Sequence, residues 1–159
     1  MASRKPLVII NGLVQQLPSG DTLDAPVSEV DVVTKTNDNA GTLPPGTPVY
    51  VKSNGNVDAA QADNISTSIV LGLFTTSVNA AANGVVQTDG VLALTTGQWD
   101  AITGDTGGLD PGVEYYLDEA TPGLLTATAP TAVGDIVVPV GNAISTTELE
   151  ISIDRPIKL

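Results

Sequence analysis

Short runs of β-branched and apolar residues, separated by glycine, proline and polar turns, dominate the chain and predict strands. Residues 148–153 alternate strictly between polar and apolar, as in a strand with one wet and one buried face. Further predicted strands cover residues 27–34, 47–52, 65–75, 84–88, 91–95, 113–117, 124–128 and 136–140. About ten short strands at this spacing predict an all-β fold, either a compact β-barrel or a sandwich.

The N-terminal residues predict a β-hairpin. Asn11-Gly12 separates two apolar runs within residues 7–17, and both central residues of a type I′ turn need a positive φ, which Asn and Gly accept. Residues 1–26 are therefore interpreted as a hairpin arm for docking, and residues 27–159 as a β-barrel-like body. Pro130 and Pro139 predict strand edges, strand starts or bulges.

Only residues 95–102 look helical, over one or two turns, with Thr96 as the candidate N-cap. This stretch holds the one tryptophan, Trp99, which we interpret as a core residue more readily than as a contact residue.

An internal sequence similarity indicates a duplication. Residues 43–51 (LPPGTPVYV) resemble residues 109–117 (LDPGVEYYL) 66 positions later. Each copy then reaches a glycine and an apolar run that ends in glycine, so we predict duplicated units near 43–75 and 109–144. The alternative is convergence, because Pro-Gly turns before aromatic strands are common in β proteins.

Charge is unevenly distributed along the chain. The net charge is −12, from 18 Asp and Glu against 6 Lys and Arg, which disfavours nucleic acid as a partner. All acids lie between Asp21 and Asp154, whereas four bases, Arg4, Lys5, Arg155 and Lys158, flank that span. The ends are either merely solvated or dock on an acidic partner surface. The apolar runs are too short for a membrane helix, and nothing argues for export.

The residue types present exclude several chemistries. The chain has no His and no Cys, which removes thiol nucleophiles, histidine triads and the zinc sites built from these ligands. The candidate acid–base pairs are Asp105 with Asp110, Asp118 with Glu119, and Glu148 with Glu150. Each pair also fits a turn or the wet face of a strand, so we expect no enzymatic activity. The oxygen-rich loop 37–41 lacks the later Glu of a calcium loop, so we expect no metal and no cofactor.

Four segments of the chain resemble structural proteins of tailed bacteriophages, including fibres and head-decorating proteins. The segments are RKPLVIING (4–12), QQLPSGDTL (15–23), TDGVLALTTGQWDA (88–101) and GDIVVPVGNAISTT (134–147). The resemblance implies a virion component that is typically trimeric, and it brings no catalytic residues with it.

The length of the chain favours one of the functions that the resemblance implies. One compact β domain with a short arm suits a capsid decoration (cement) or head-fibre protein on the capsid exterior, bound to the major capsid protein as a homotrimer. A tail-fibre or baseplate component is the first alternative, and a calcium-dependent carbohydrate-binding module is the second. The residues predicted to dock are Arg4, Lys5, Pro6, Leu7, Ile9, Arg155 and Lys158.

Overall fold

The computed structural model describes residues 7–10, 13–16 and 30–159, and in these the fold is all-β with one short helix. The strands of the first part are β1 (Leu7–Ile10), β2 (Leu13–Gln16), β3 (Val32–Thr36), β4 (Pro48–Val51), β5 (Val57–Ala59), β6 (Val70–Phe74) and β7 (Asn83–Gln87). The remaining elements are β8 (Gly90–Ala93), α1 (Thr96–Thr103), β9 (Glu114–Leu117), β10 (Leu125–Thr126), β11 (Ile136–Val137), β12 (Pro139–Ala143), β13 (Glu148–Ile151) and β14 (Ile157–Lys158).

The predicted hairpin is confirmed by the pairing of β1 with β2. The two strands run antiparallel, with Leu7 opposite Gln16 and Ile10 opposite Leu13. The predicted turn residues Asn11 and Gly12 lie outside the described residues. The predicted docking residues Arg4, Lys5 and Pro6 and the predicted domain boundary after residue 26 lie outside the described residues.

The body contains two five-stranded antiparallel sheets with the same connectivity. The first has the order β3-β7-β6-β4-β5, and the second has the order β8-β13-β12-β9-β10. Counted along the chain, each sheet arranges its strands as first, fifth, fourth, second and third. The helix α1 and the short strand β11 are additions to the second sheet's unit.

The correspondence between the sheets extends to single residues. Val49 lies opposite Gly72 in the first sheet and Tyr115 opposite Gly141 in the second, and both pairings adjoin a register shift. The Gly46 N–H donates to the Phe74 carbonyl at 2.7 Å, and the Gly112 N–H donates to the Ala143 carbonyl at 2.7 Å. The internal sequence similarity therefore coincides with equivalent positions in two like sheets, and duplication of one unit is the hypothesis that accounts for it.

The sheets pack as a sandwich. The adjacent residues Leu73 and Phe74 on β6 are both fully buried, but in different hydrophobic clusters, because neighbouring strand residues point to opposite faces. Phe74 packs in a cluster built only from residues 43–86. Leu73 packs in the larger cluster, which contains the buried residues of the second sheet. No described sheet closes on itself, so of the two predicted architectures the sandwich holds and the barrel is wrong.

The second sheet alternates as its sequence predicts. Along β13, Leu149 and Ile151 are buried, while Glu148 is half-buried and Glu150 is exposed. Pro139 is the first residue of β12 and adjoins the register shift, which agrees with its predicted position at a strand start or bulge.

The helix is confirmed, but its predicted cap is wrong by one residue. Thr95, not Thr96, is the N-cap, because its hydroxyl accepts from the Gln98 N–H while the Gln98 side chain accepts from the Thr95 N–H. Trp99 is fully buried and its Nε1 donates to the Thr147 carbonyl at 3.0 Å, which confirms it as a core residue. No helix of the described ranges is long and apolar enough to cross a membrane.

Three predicted strands need correction. The strand predicted over 65–75 begins only at Val70, because Asn64 holds the preceding residues in a turn by accepting from the Ser66 N–H at 3.0 Å. The strand predicted over 27–34 is Val32–Thr36 within the described residues, and the one over 136–140 divides before Pro139 into β11 and β12. The strands β5 and β14 were not predicted.

Candidate docking surfaces

Two carboxylates of the predicted acid–base pairs, those of Asp118 and Glu148, accept hydrogen bonds from nearby residues. The Asp118 carboxylate accepts from the N–H groups of Ala120 and Thr121 at 2.8 and 2.6 Å, and so closes a turn. Glu148 accepts from the Ser145 hydroxyl at 3.0 Å. The N–H of Asp110 donates to the Tyr115 hydroxyl at 3.0 Å. The carboxylate contacts give structural roles to Asp118 and Glu148, and lack of enzymatic activity stays a prediction.

The oxygen-rich loop 37–41 is built around a buried amide and an ion pair. The Asn37 side chain is fully buried and donates to the carbonyls of Gly41 and Val78 at 3.0 and 2.9 Å. The Lys52 Nζ lies 2.7 Å from the Asp38 carboxylate, and this contact lowers the pKa of Asp38. A lysine ammonium therefore already neutralises the acid of this loop. Within the described ranges, no three acidic side chains cluster closely enough to hold a metal ion.

The four basic residues in the described part of the chain fall into two kinds. Lys52 is ion-paired, and Lys35 donates to the Gly55 carbonyl at 3.2 Å. Arg155 and Lys158, both predicted to dock, are exposed, and no carboxylate of the described residues lies within 4.0 Å of either. They are the bases that remain available to a partner in an otherwise acidic body.

Backbone hydrogen bonds fix the C-terminal segment that carries these two bases. Strand β14 pairs antiparallel with β11, so that Lys158 lies opposite Ile136. The Leu159 N–H donates to the Asp135 carbonyl and the Asp154 N–H donates to the Pro139 carbonyl, at 2.9 and 3.0 Å. The charges therefore extend from a positioned backbone, although they lie close to the chain end.

Exposed apolar side chains lie beside the same bases. A shallow groove of about 300 Å³ is lined by Ile65, Ile69, Arg155 and Pro156. Ile69 is 60% exposed, and Ile157, next to Lys158, is 57% exposed. We name these residues the C-terminal patch: Ile65, Ile69, Arg155, Pro156, Ile157 and Lys158. Apolar contact area with flanking charge is the usual composition of a protein-binding surface.

A larger groove of about 780 Å³ lies beside the start of β3 and has the opposite charge. Four carboxylates line it, and we name it the acidic groove after these residues: Asp31, Asp89, Glu114 and Asp154. Asp31 is held there because its carbonyl accepts from the Thr88 N–H at 2.8 Å. Glu114 accepts from the Tyr116 hydroxyl, which raises the pKa of Tyr116.

The predicted docking residues that the structure describes fall on two strands and on the segment before the last strand, and their role in docking stays a prediction. Lys158 belongs to β14 and Arg155 lies just before it, while Leu7 and Ile9 belong to β1. Ile65 and Ile69 were not predicted as surface residues because they were assigned to a strand interior. They lie close to Arg155 in space but far from it in the sequence. No known protein-family model matches the chain, and no curated protein matches it.

Proposed function

We propose that the protein is a structural component of a tailed-bacteriophage virion that decorates and stabilises the capsid exterior, binding the major capsid protein as a homotrimer. The proposal starts from the resemblance of the four segments described above and from the short, compact body. It assigns no catalysis and no cofactor to the chain.

The observation that carries the proposal is the C-terminal patch. Arg155 and Lys158 have no described carboxylate within 4.0 Å in a chain of net charge −12. Arg155 lines a groove with the exposed Ile65 and Ile69, and Lys158 follows the exposed Ile157 in the sequence. Such a surface favours a partner that offers acidic groups around apolar contacts, because opposite charges speed encounter and set orientation. The acidic remainder of the body repels like-charged surfaces and keeps neighbouring particles apart.

The test measures attachment to capsids from which the protein has been stripped. The variant Arg155→Glu/Lys158→Glu should bind at least about tenfold more weakly, a loss of about 1.4 kcal/mol. The control Arg155→Lys/Lys158→Arg keeps both charges and should bind like the unaltered chain. Binding by the unaltered chain should weaken as salt rises, and the charge-reversed variant should lose most of that dependence.

Two results would overturn the proposal. Equal binding of the charge-reversed variant and the control at every salt concentration would exclude the C-terminal patch as the docking surface. Retention of the protein by isolated tails but not by stripped capsids would replace capsid decoration by the tail-fibre or baseplate function.

A further inference from the structure

One edge of the first sheet carries exposed apolar residues. Strand β3 is the edge strand and pairs only with β7 among the described strands. Val32 is 51% exposed and Val33 is 38% exposed, although Val33 lies opposite the fully buried Val86. The equivalent pair in the second sheet is Leu92 and Leu149, and there Leu92 is only 4% exposed. We name residues 30–36 the β3 edge.

The strands β1 and β2 form a separate two-stranded sheet. In the described residues, β1 and β2 pair only with each other. Six of their eight residues are apolar, the exceptions being Gln15 and Gln16. An isolated two-stranded hairpin is marginally stable in water, whereas joining a larger sheet supplies hydrogen bonds and apolar contact.

We propose that β2 of one copy adds antiparallel to the β3 edge of a second copy. This pairing extends the first sheet by two strands and keeps it antiparallel throughout. The added strand covers Val32 and Val33. It thus supplies the burial that the equivalent Leu92 of the second sheet has within its own unit.

Charge complementarity selects β2 over β1 as the added strand. With β2 antiparallel to β3, the end of β2 and the start of β1 lie beside the start of β3. Arg4 and Lys5 precede β1 in the sequence, so this pairing brings two bases to the side of the acidic groove, where Asp31 and Asp89 are exposed. Addition of β1 antiparallel to β3 would instead carry both bases to the far end of the edge.

The length of the connection favours a second copy over the same chain. Residues 17–31 join β2 to β3, which is about fifteen residues where a local hairpin needs two to five. Fully extended, this segment reaches about 50 Å, far enough to cross to a neighbouring subunit. Head-to-tail exchange of this kind forms a ring when the rotation between copies closes, and the proposed trimer is such a ring.

The hydrogen-bonding pattern of β3 provides a selective way to block its edge. The Asp31 carbonyl accepts from the Thr88 N–H, and the Asn37 N–H donates to the Ala82 carbonyl. Antiparallel ladders alternate, so the odd-numbered residues of β3 bond to β7 and the N–H groups of Val32 and Thr34 point to the free edge. Proline at position 34 therefore removes an outward donor and leaves the β3–β7 ladder complete.

The matched control is the equivalent edge of the second sheet. Ala93 corresponds to Thr34, and the Leu94 N–H donates to the carbonyl of Thr147, just before β13, which leaves the Ala93 N–H pointing outward. Light scattering on the full chain should give an oligomer, and Thr34→Pro should reduce it to the chain mass of 16.1 kDa. Ala93→Pro should keep the oligomer. Circular dichroism establishes that both variants fold.

A charge exchange provides a second test that does not alter the backbone. Arg4→Glu/Lys5→Glu should weaken association at least about tenfold, and adding Asp31→Lys/Asp89→Lys to the same chain should restore it. The inference rests on the proposed self-association but not on capsid binding. A monomer at every concentration overturns both the trimer and the inference. An oligomer that survives Thr34→Pro, or that Ala93→Pro disrupts instead, overturns the inference alone.

Discussion

The first half of the body, residues 30–88, and the second half, residues 89–159, build the same sheet from different core residues. Val49 and Phe74 in the first half occupy the positions of Tyr115 and Ala143 in the second. The fully buried aromatic ring of these paired positions thus lies on β6 in the first half and on β9 in the second. The shared connectivity therefore depends on turns and close backbone approach, while core volume can be redistributed between neighbouring strands.

A proline in the first half removes the hydrogen-bond donor that the Tyr115 hydroxyl has in the second half. The Tyr115 hydroxyl accepts from the N–H of Asp110, and the position equivalent to Asp110 is Pro44, which has no N–H. A tyrosine at position 49 would therefore lack this partner and bury an unsatisfied hydroxyl. Valine at position 49 avoids that cost.

The largest expected effect comes from removing the first half's aromatic ring. Phe74→Ala should cost about 3–5 kcal/mol of unfolding free energy, because Phe74 is fully buried and leaves a cavity. If the halves exchange core volume, the double variant Val49→Phe/Phe74→Ala should recover at least about 1 kcal/mol. Urea unfolding measures both values. A double variant no more stable than Phe74→Ala would break the comparison of the two cores.

The next effect tests the glycines that both sheets share. A Cβ on Gly72 would lie 2.2 Å from the Gln87 carbonyl oxygen, and one on Gly141 would lie 2.4 Å from that of Glu150. Backbone atoms cannot move aside, so alanine at either position should cost about 2–3 kcal/mol. The control Gly97→Ala meets nothing within 4 Å and should be neutral or stabilise α1 by up to about 1 kcal/mol. A mild effect at Gly72 with a severe one at Gly141 would show that the register shifts beside these two glycines differ in structure.

A smaller effect is a loss of stability at alkaline pH that originates from Tyr115 in the second half. Burial raises the pKa of Tyr115, so the folded state holds that proton more tightly than the unfolded chain. The resulting stability is fully present below the ordinary tyrosine pKa of about 10 and is lost as the pH rises through the folded value. Melting temperatures between pH 8 and 11 should therefore fall less steeply for Tyr115→Phe than for the unaltered chain. An unchanged slope would contradict the assignment.

No measurable effect is expected from calcium. In the first half, Lys52 neutralises Asp38 in the loop that the second half replaces with α1. A ligand specific for the folded state would add about 2.7 kcal/mol at a hundredfold excess over its dissociation constant. Melting in chelator and in millimolar calcium should give the same temperature, whereas a rise of several degrees would restore the carbohydrate-binding alternative.

The sequence predicted the elements whose pattern is long or whose turns are distinctive. The alternation at 148–153 and the pair Asn11-Gly12 both identified strands, since each depends on local chemistry. Val57–Ala59 and Ile157–Lys158 were missed because two or three residues carry no periodicity and pair only through tertiary contacts. The C-terminal bases were predicted as a docking element, but Ile65 and Ile69 join them only through the fold.

Hydrogen–deuterium exchange of the two edge strands tests most directly the claim that the halves differ in what covers their edges. Peptides spanning residues 30–36 and 89–95 of the full chain are compared at concentrations below and above self-association. We predict that protection of the first peptide rises with concentration, because its outward N–H groups gain partners, while protection of the second stays constant. Equal changes at both edges, or none at the first while the chain associates, would contradict the account.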